Sequence, residues 1–163
     1  MFKRRLSYSN DQFSSTLRDQ NTFYPSFQHD LKNCSSELII ESPFITTRRM
    51  NDLLPSLRKL TRRGVKIYIN TRDPIEHNPD YAVQAYEAVA RLQALGVIVL
   101  FTVKHHRKLS IIDRQIIWEG SLNILSHSNS CEIMRKINSP ALAQQLIKFL
   151  HLEHHLLQLG GER

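Results

Sequence analysis

His106-Arg107-Lys108-Leu109-Ser110-Ile111-Ile112-Asp113, followed by Gly120-Ser121-Leu122-Asn123, decides how this chain is read. As spacing it is H-x-K-x4-D and then G-S-x-N. In a strand successive side chains alternate faces, so His106 and Lys108 point the same way, about 7 Å apart along the chain. The apolar run Leu109, Ile111, Ile112 suits a buried strand that would hold them rigidly. A neutral imidazole can attack phosphorus, and a covalent phospho-enzyme divides one hard displacement into two easier ones. Lys108 supplies a point charge for a phosphate oxygen, while Ser121 and Asn123 add neutral hydrogen-bond donors. Together these groups would stabilise transition-state charge without a metal. A lone His-x-Lys on a strand is ordinarily an exposed edge; Asp113 and G-S-x-N in register set this one apart.

The order, types and spacing of these residues resemble the signature of the phospholipase D superfamily. A single copy resembles that superfamily's single-motif nucleases rather than its two-motif lipases. The resemblance covers about residues 23–138 and implies an α/β fold, a phospholipase D-like α/β/α sandwich around a mixed β-sheet. It implies a catalytic set of His106, Lys108, Asp113, Ser121, Asn123 and Glu132, with Lys108, Ser121 and Asn123 binding phosphate. In the family the acid at Asp113 supports the site; here its oxygens are expected to bond nearby backbone N–H groups and fix a turn. Gly120 is expected to allow a sharp turn and close backbone approach to a phosphate. Glu132, in Ser130-Cys131-Glu132-Ile133-Met134, resembles the trailing glutamate that orients the catalytic imidazole. In the superfamily two motifs meet face to face, one histidine as nucleophile and the other as general acid. One copy per chain therefore implies a homodimer with a composite site; His77 or His127 is the in-chain alternative. No metal and no cofactor are implied, and the scattered Asp and Glu do not form the carboxylate cluster of a magnesium nuclease.

Length and composition frame these expectations. A chain of 163 residues with 41% hydrophobic and 23% charged content suits one globular domain with a sizeable core. No apolar run approaches the ~20 residues of a membrane helix, so stable membrane insertion is not expected. Met1-Phe2-Lys3-Arg4-Arg5 is followed by Leu6-Ser7-Tyr8-Ser9-Asn10-Asp11, where a signal peptide would be apolar. With only Cys34 and Cys131, a reducing cytoplasm fits. The formal charge of +7 points to a polyanion, DNA or RNA. Arg48, Arg49, Arg58, Lys59, Arg62, Arg63 and Lys66 crowd one region, and Lys104, Arg107 and Lys108 surround the motif. Strand alternation turns Arg107 away from the catalytic positions.

Residues 1–22 are polar and weakly patterned, and read as an N-terminal arm before a domain at 23–163. Phe23, Phe27 and Leu31 have helical spacing, with Pro25 in the first turn. Glu37–Glu41 reads as a strand ended by Ser42-Pro43-Phe44, a sequence that also recurs in the superfamily. Leu53, Leu54, Leu57 and Leu60 form a helical stripe closed by Gly64; Pro55 places the start of that helix near Leu54. Val65–Ile69 is a strand, Ala82–Leu92 a helix capped by Gly96, and Val97–Phe101 a buried strand. The helix-strand alternation predicts a largely parallel inner sheet, to which a 109–119 hairpin adds an antiparallel part. Trp118 and Phe101 read as core. Leu142, Leu146, Phe149, Leu150 and Leu156 describe an amphipathic C-terminal helix. His151, His154 and His155 share helical faces but lack partners for a metal, and read as solvated surface.

The expected activity is metal-independent hydrolysis of nucleic-acid phosphodiester bonds through a phosphohistidine. The alternatives are a phosphodiesterase for cardiolipin-like phospholipids and a non-catalytic nucleic-acid-binding domain of a larger protein.

Overall fold

The computed structural model of the protein describes residues 14–127 and 129–153. Its elements run β1 (Ser14–Asp19), α1 (Phe23–Asn33), β2 (Glu37–Glu41), α2 (Thr47–Arg62), β3 (Lys66–Thr71), α3 (Pro79–Ala94), β4 (Ile98–Phe101), β5 (Leu109–Ile112), β6 (Ile116–Gly120), β7 (Ile133–Asn138) and α4 (Pro140–Phe149). Among the described residues, the strands form one mixed sheet in the order β1-β7-β6-β5-β2-β3-β4. Helices cover both faces, giving the expected α/β/α sandwich.

Period-two alternation in the central strands assigns the two cores. Leu38, Ile40, Ile67, Ile69, Ile112, Trp118 and Met134 pack with α1, α2 and α3. Ile39, Tyr68, Ile111, Ile117 and Ile137 face the other way, onto Ala143 and Ile147 of α4. Each fully buried Leu, Ile or Phe of this kind contributes about 1.5–3 kcal/mol. Trp118 is core as expected: it is fully buried, and its Nε1–H donates to Asp30 Oδ2 at 2.9 Å.

Several boundaries differ from expectation. Ser14–Asp19, inside the expected arm, is an edge strand paired antiparallel to β7; its polar, mostly exposed side chains hide it from any hydrophobic pattern. Residues 1–13 lie outside the described residues. β2, β3 and β4 are parallel but occupy one side of the sheet, and the other pairings are antiparallel. β4 is therefore the edge strand rather than a buried one, and Phe101 is 47% exposed instead of core. α2 begins well before Leu54, at Thr47: the Thr46 hydroxyl caps it by accepting from Arg49 N, and Met50 adds a buried turn. Pro55 sits inside on the exposed side, so solvent can reach the Asn51 carbonyl it leaves unpaired. In α4 the buried stripe is Ala143 and Ile147, whereas Phe149 is 77% exposed. Leu156, His154 and His155 lie outside the described residues.

Candidate active site

Ligands of open α/β sheets gather outside the carboxyl ends of the parallel strands. Here that edge collects the ends of β2 and β3, the segment entering β5, the end of β6 and the start of β7. His106, Lys108, Ser121 and Glu132 all fall on it. The motif is displaced from its expected element, because β5 begins only at Leu109. β2 stops at Glu41, opposite Leu109, so His106 to Lys108 extend past their neighbouring strand.

A polar framework replaces the missing ladder. Glu41 is fully buried and accepts from the Arg107 guanidinium at both carboxylate oxygens, and from Asn70 Nδ2 at 3.0 Å. Asn70 Oδ1 in turn accepts from the Thr102 hydroxyl at 2.9 Å. Burial alone would raise the Glu41 carboxyl; the His105, Arg107 and Asn70 contacts overcome it and hold the group down at about 2. His105, next to His106 in sequence, is 2% exposed, with Nε2 3.5 Å from Glu41 Oε2. That contact is an approach without hydrogen-bond geometry, since neither His105 ring nitrogen has a hydrogen-bond partner among the described residues. Arg107, expected from strand alternation to turn away from the catalytic positions, lies outside β5 and is committed to Glu41, so it anchors the segment carrying His106 and Lys108.

The His106 ring is exposed and lies in a positive field. The Lys108 charge, then slight desolvation and the Arg72 charge, hold its pKa below the ordinary histidine value. Neutral imidazole, the nucleophilic form, is therefore favoured near neutral pH. Lys108 Nζ donates to the His106 carbonyl at 2.7 Å, which ties the ammonium back onto the His106 backbone. Desolvation and Arg72 lower the Lys108 pKa, while Glu132 opposes them. Arg72 leaves the end of β3, and its Nε and Nη2 donate to the His105 carbonyl at 3.2 and 3.0 Å.

The G-S-x-N segment is fixed by what flanks it. Leu122, Ile124 and Leu125 are buried; Tyr24 Oη donates to the Ile124 carbonyl at 2.9 Å, and Leu125 N donates to Ser42 Oγ at 3.2 Å. Asn123 Oδ1 is left buried without a hydrogen-bond partner. Rotating that amide would put its N–H2 donors in the same buried position. Gly120 has a different use from the one expected. A Cβ there would meet the Ile133 carbonyl oxygen at 2.0 Å, so the missing side chain admits β7 rather than a phosphate. Ser121 also differs: its single O–H donates to Glu132, and its oxygen accepts from Ile133 N at 3.1 Å. In this structure Glu132 is held by Ser121 and Ser130, and no hydrogen bond reaches the His106 ring among the described residues.

Asp113 stands apart from all of these. It follows β5 at the opposite end of the strand, roughly 16 Å from Lys108 at ~3.3 Å per residue. Its oxygens accept from backbone N–H groups, as expected, but the donors lie at the start of β2 rather than in its own turn, so it stitches β5 to β2. It accepts from the backbone N–H of Ser35, Ser36 and Glu37 at 2.9, 2.8 and 3.0 Å, and from the Ser35 and Ser36 hydroxyls. Desolvation opposes ionisation, but these donors prevail and hold the carboxyl well below the usual carboxylate range. Asp113 and Arg114 both have positive φ, 51° and 53°, in the three-residue connection 113–115 between the paired Ile112 and Ile116, where Gln115 N donates to the Ile112 carbonyl at 3.0 Å. Arg114 is itself held by the Glu37 carboxylate at 2.9 and 3.2 Å.

Residues 27–152 match the family model described as "Cardiolipin synthase, PLD-like domain". The chain belongs to the phospholipase D superfamily. Solved structures carry the same fold. Nuc, a phospholipase D family member from Salmonella typhimurium, is 16% identical and superposes with a TM-score of 0.69 over 85% of this chain and 91% of that one. NucT from Helicobacter pylori is 18% identical, with a TM-score of 0.67 over 85% and 93%. Phosphatidylserine synthase from Haemophilus influenzae, 15% identical, has a TM-score of 0.60 over 89% of this chain but only 38% of its own. No curated protein sequence shows significant similarity to the chain.

Within this phospholipase D fold, sequence reasoning missed Arg72 and Glu41. Both had a signal: each stands at the carboxyl end of a strand later found parallel, where ligands gather. The expected basic region resolves into separate roles. Arg63 donates to the Lys32 and Cys34 carbonyls and Arg49 pairs with Asp52 at 3.3 Å, whereas Arg58, Lys59, Arg62 and Arg91 line a groove of about 560 Å3 between α2 and α3. Among the described residues no helix is long and apolar enough to cross a membrane.

Proposed function

We propose that the protein is a metal-independent nuclease with His106 as nucleophile and a site shared by two subunits. The observation that carries this reading is the exposed His106 imidazole, biased toward its neutral form by Lys108 and Arg72 at the ligand-binding end of the sheet. Its lone pair attacks phosphorus, forming an N–P bond as one P–O bond breaks. Lys108 and Asn123 stabilise the equatorial oxygens while charge accumulates. The departing alkoxide takes a proton from the partner subunit's His106, which enters as imidazolium. That imidazole, now neutral, accepts a proton from water; the hydroxide attacks phosphorus and His106 leaves. Each catalytic group here is a side chain, so hydrolysis of DNA or RNA is expected to persist in EDTA. Loss on chelation with recovery on added magnesium or manganese would overturn the mechanism.

The shared site rests on arithmetic: the reaction needs two histidines, and the chain has one His-x-Lys motif. A two-fold axis brings identical surfaces together and sets two His106 side chains about one phosphate. Adding tenfold excess His106→Asn protein, with subunit exchange demonstrated, is expected to lower activity per wild-type chain roughly tenfold, because most wild-type chains then pair with a dead partner. Constant activity per wild-type chain would instead mean that His77 or His127 supplies the acid within one chain.

A second reading has its own support. The matching family model is described by a cardiolipin synthase, and phosphatidylserine synthase shares the fold. The same EDTA assay run on mixed cardiolipin vesicles separates the readings: hydrolysis of lipid but not of DNA or RNA replaces the nuclease.

A further inference from the structure

Beside the catalytic residues lies a cavity of about 420 Å3 that shares Asn123 with the reaction above and is also lined by Phe44, Arg72, Glu76, His77, Tyr81 and His127. Three of these rings form one aromatic cluster. Phe44 and His77 are tilted at 5.2 Å between centroids, Phe44 and Tyr81 meet edge to face at 6.0 Å, and His77 and Tyr81 lie 6.2 Å apart. Arg72 lies 5.4 Å over the Phe44 ring. The rings come from two connections leaving neighbouring parallel strands: Phe44 follows β2, while His77 and Tyr81 follow β3 and open α3. They are partly exposed, with Tyr81 at 36%, so the cluster is a surface rather than a piece of core.

Two residues join this cavity to the catalytic groups of the proposed reaction. Arg72 lines it while its charge acts on both His106 and Lys108. Asn123 lines it and holds a buried amide oxygen without a partner. Burial and the Arg72 charge, against the weaker pull of Glu76 and Asp73, keep His77 below its ordinary pKa, so its ring is neutral and flat at neutral pH.

We propose that Phe44, His77 and Tyr81 form a stacking subsite for a nucleobase adjoining the scissile phosphate, so that the substrate is unpaired, single-stranded nucleic acid. The inference rests on the nuclease reading and adds what that reading lacks, a strand preference with its physical cause. A base–aromatic stack accepts any base, because each has a π-face, and it tolerates sequence for the same reason. A paired base keeps its faces inside the duplex and cannot enter. Arg72 and Asn123 would hold the phosphate beside the base, and a fatty acyl chain has no use for the arginine over a ring.

The test compares a labelled dT12 with a twelve-residue abasic polymer of the same sugar-phosphate backbone, as kcat/KM. Wild type is expected to prefer dT12 by about 5-fold to 150-fold, the range of a single base stack. Tyr81→Ala should bring that ratio toward one, and the double variant with His77→Ala further. Tyr81→Phe keeps the ring and should keep the preference, which excludes a loss by misfolding. Equal cleavage of both polymers by wild type, or a ratio that survives in the double variant, overturns the subsite while leaving the nuclease reading intact. Cleavage of neither polymer, with hydrolysis of cardiolipin vesicles, removes the nuclease reading and the subsite together.

Discussion

His106→Asn is expected to abolish hydrolysis of every phosphodiester the protein accepts, by roughly four to six orders of magnitude, the scale of removing a covalent nucleophile. Two features make the result sharp. The ring is exposed and makes no hydrogen bond among the described residues, so the fold does not depend on it. The one local bond, from Lys108 Nζ, goes to the His106 carbonyl and survives substitution. Melting temperature should therefore stay close to wild type, with a stability change within about 0.5 kcal/mol. Single-turnover rates on a fluorogenic oligonucleotide check the chemistry and calorimetry checks the fold. A folded variant turning over near the wild-type rate would remove His106 from the mechanism; a variant that melts early would leave the kinetics uninterpretable, and His106→Gln would then replace it.

The motif was legible because its meaning lies in local spacing. His106, Lys108, Ser121 and Glu132 are read off adjacent stretches, and antiparallel pairing of β5, β6 and β7 returns them to one edge. What spacing does not carry is the far end of each contact. Asp113 stands five residues after Lys108, yet a strand between them moves it to the opposite edge, where its partners are Ser35, Ser36 and Glu37. Ser121 has the residue type of a phosphate donor, but its hydroxyl meets a carboxylate placed there by β7. Gly120 signals close approach correctly; only the structure says that the approaching group is the Ile133 carbonyl. Arg72 and Phe44, from connections after two other strands, and Tyr81, from the first turn of α3, line one cavity together with Asn123, and no local pattern links them to His106.

The fold divides in the same way. β2, β3 and β5 are short apolar runs bounded by turn residues, and hydrophobicity finds them. β1 is a strand because β7 offers an open edge to polar residues, which is a tertiary cause invisible in Ser14–Asp19 alone. The same holds for β4: Ile98, Val99, Leu100 and Phe101 are apolar enough for a central strand, and only the sheet order puts them at its edge. Pro55 misleads for the opposite reason, since a rule about helix interiors is relaxed where the lost bond faces solvent.

Lys108→Met is expected to lower kcat/KM by roughly 10²–10³-fold, the loss typical of one preorganised charge or donor at the reacting centre. Its second effect is on pH. The Lys108 charge is the largest cause of the depressed His106 pKa, with burial and Arg72 behind it. A nucleophilic imidazole works only when neutral, so wild-type kcat/KM is expected to fall as pH drops through that depressed value, below the ordinary 6.5. Removing the ammonium raises the His106 pKa, so the acid limb of the residual activity should move to higher pH. In a two-fold site the imidazoles titrate as a pair and the limb belongs to their shared step, but two lysines leave together and the direction is unchanged. Lys108→Arg keeps the charge and should keep the limb low, although its planar fork replaces a compact ammonium and need not restore the rate. A Lys108→Met enzyme that is slow with an unmoved acid limb would show that Lys108 binds phosphate without tuning the nucleophile. One that is slow only through KM would show that it binds substrate and transition state equally. A raised limb together with a lowered kcat is the signature of a lysine that acts on both phosphate and imidazole.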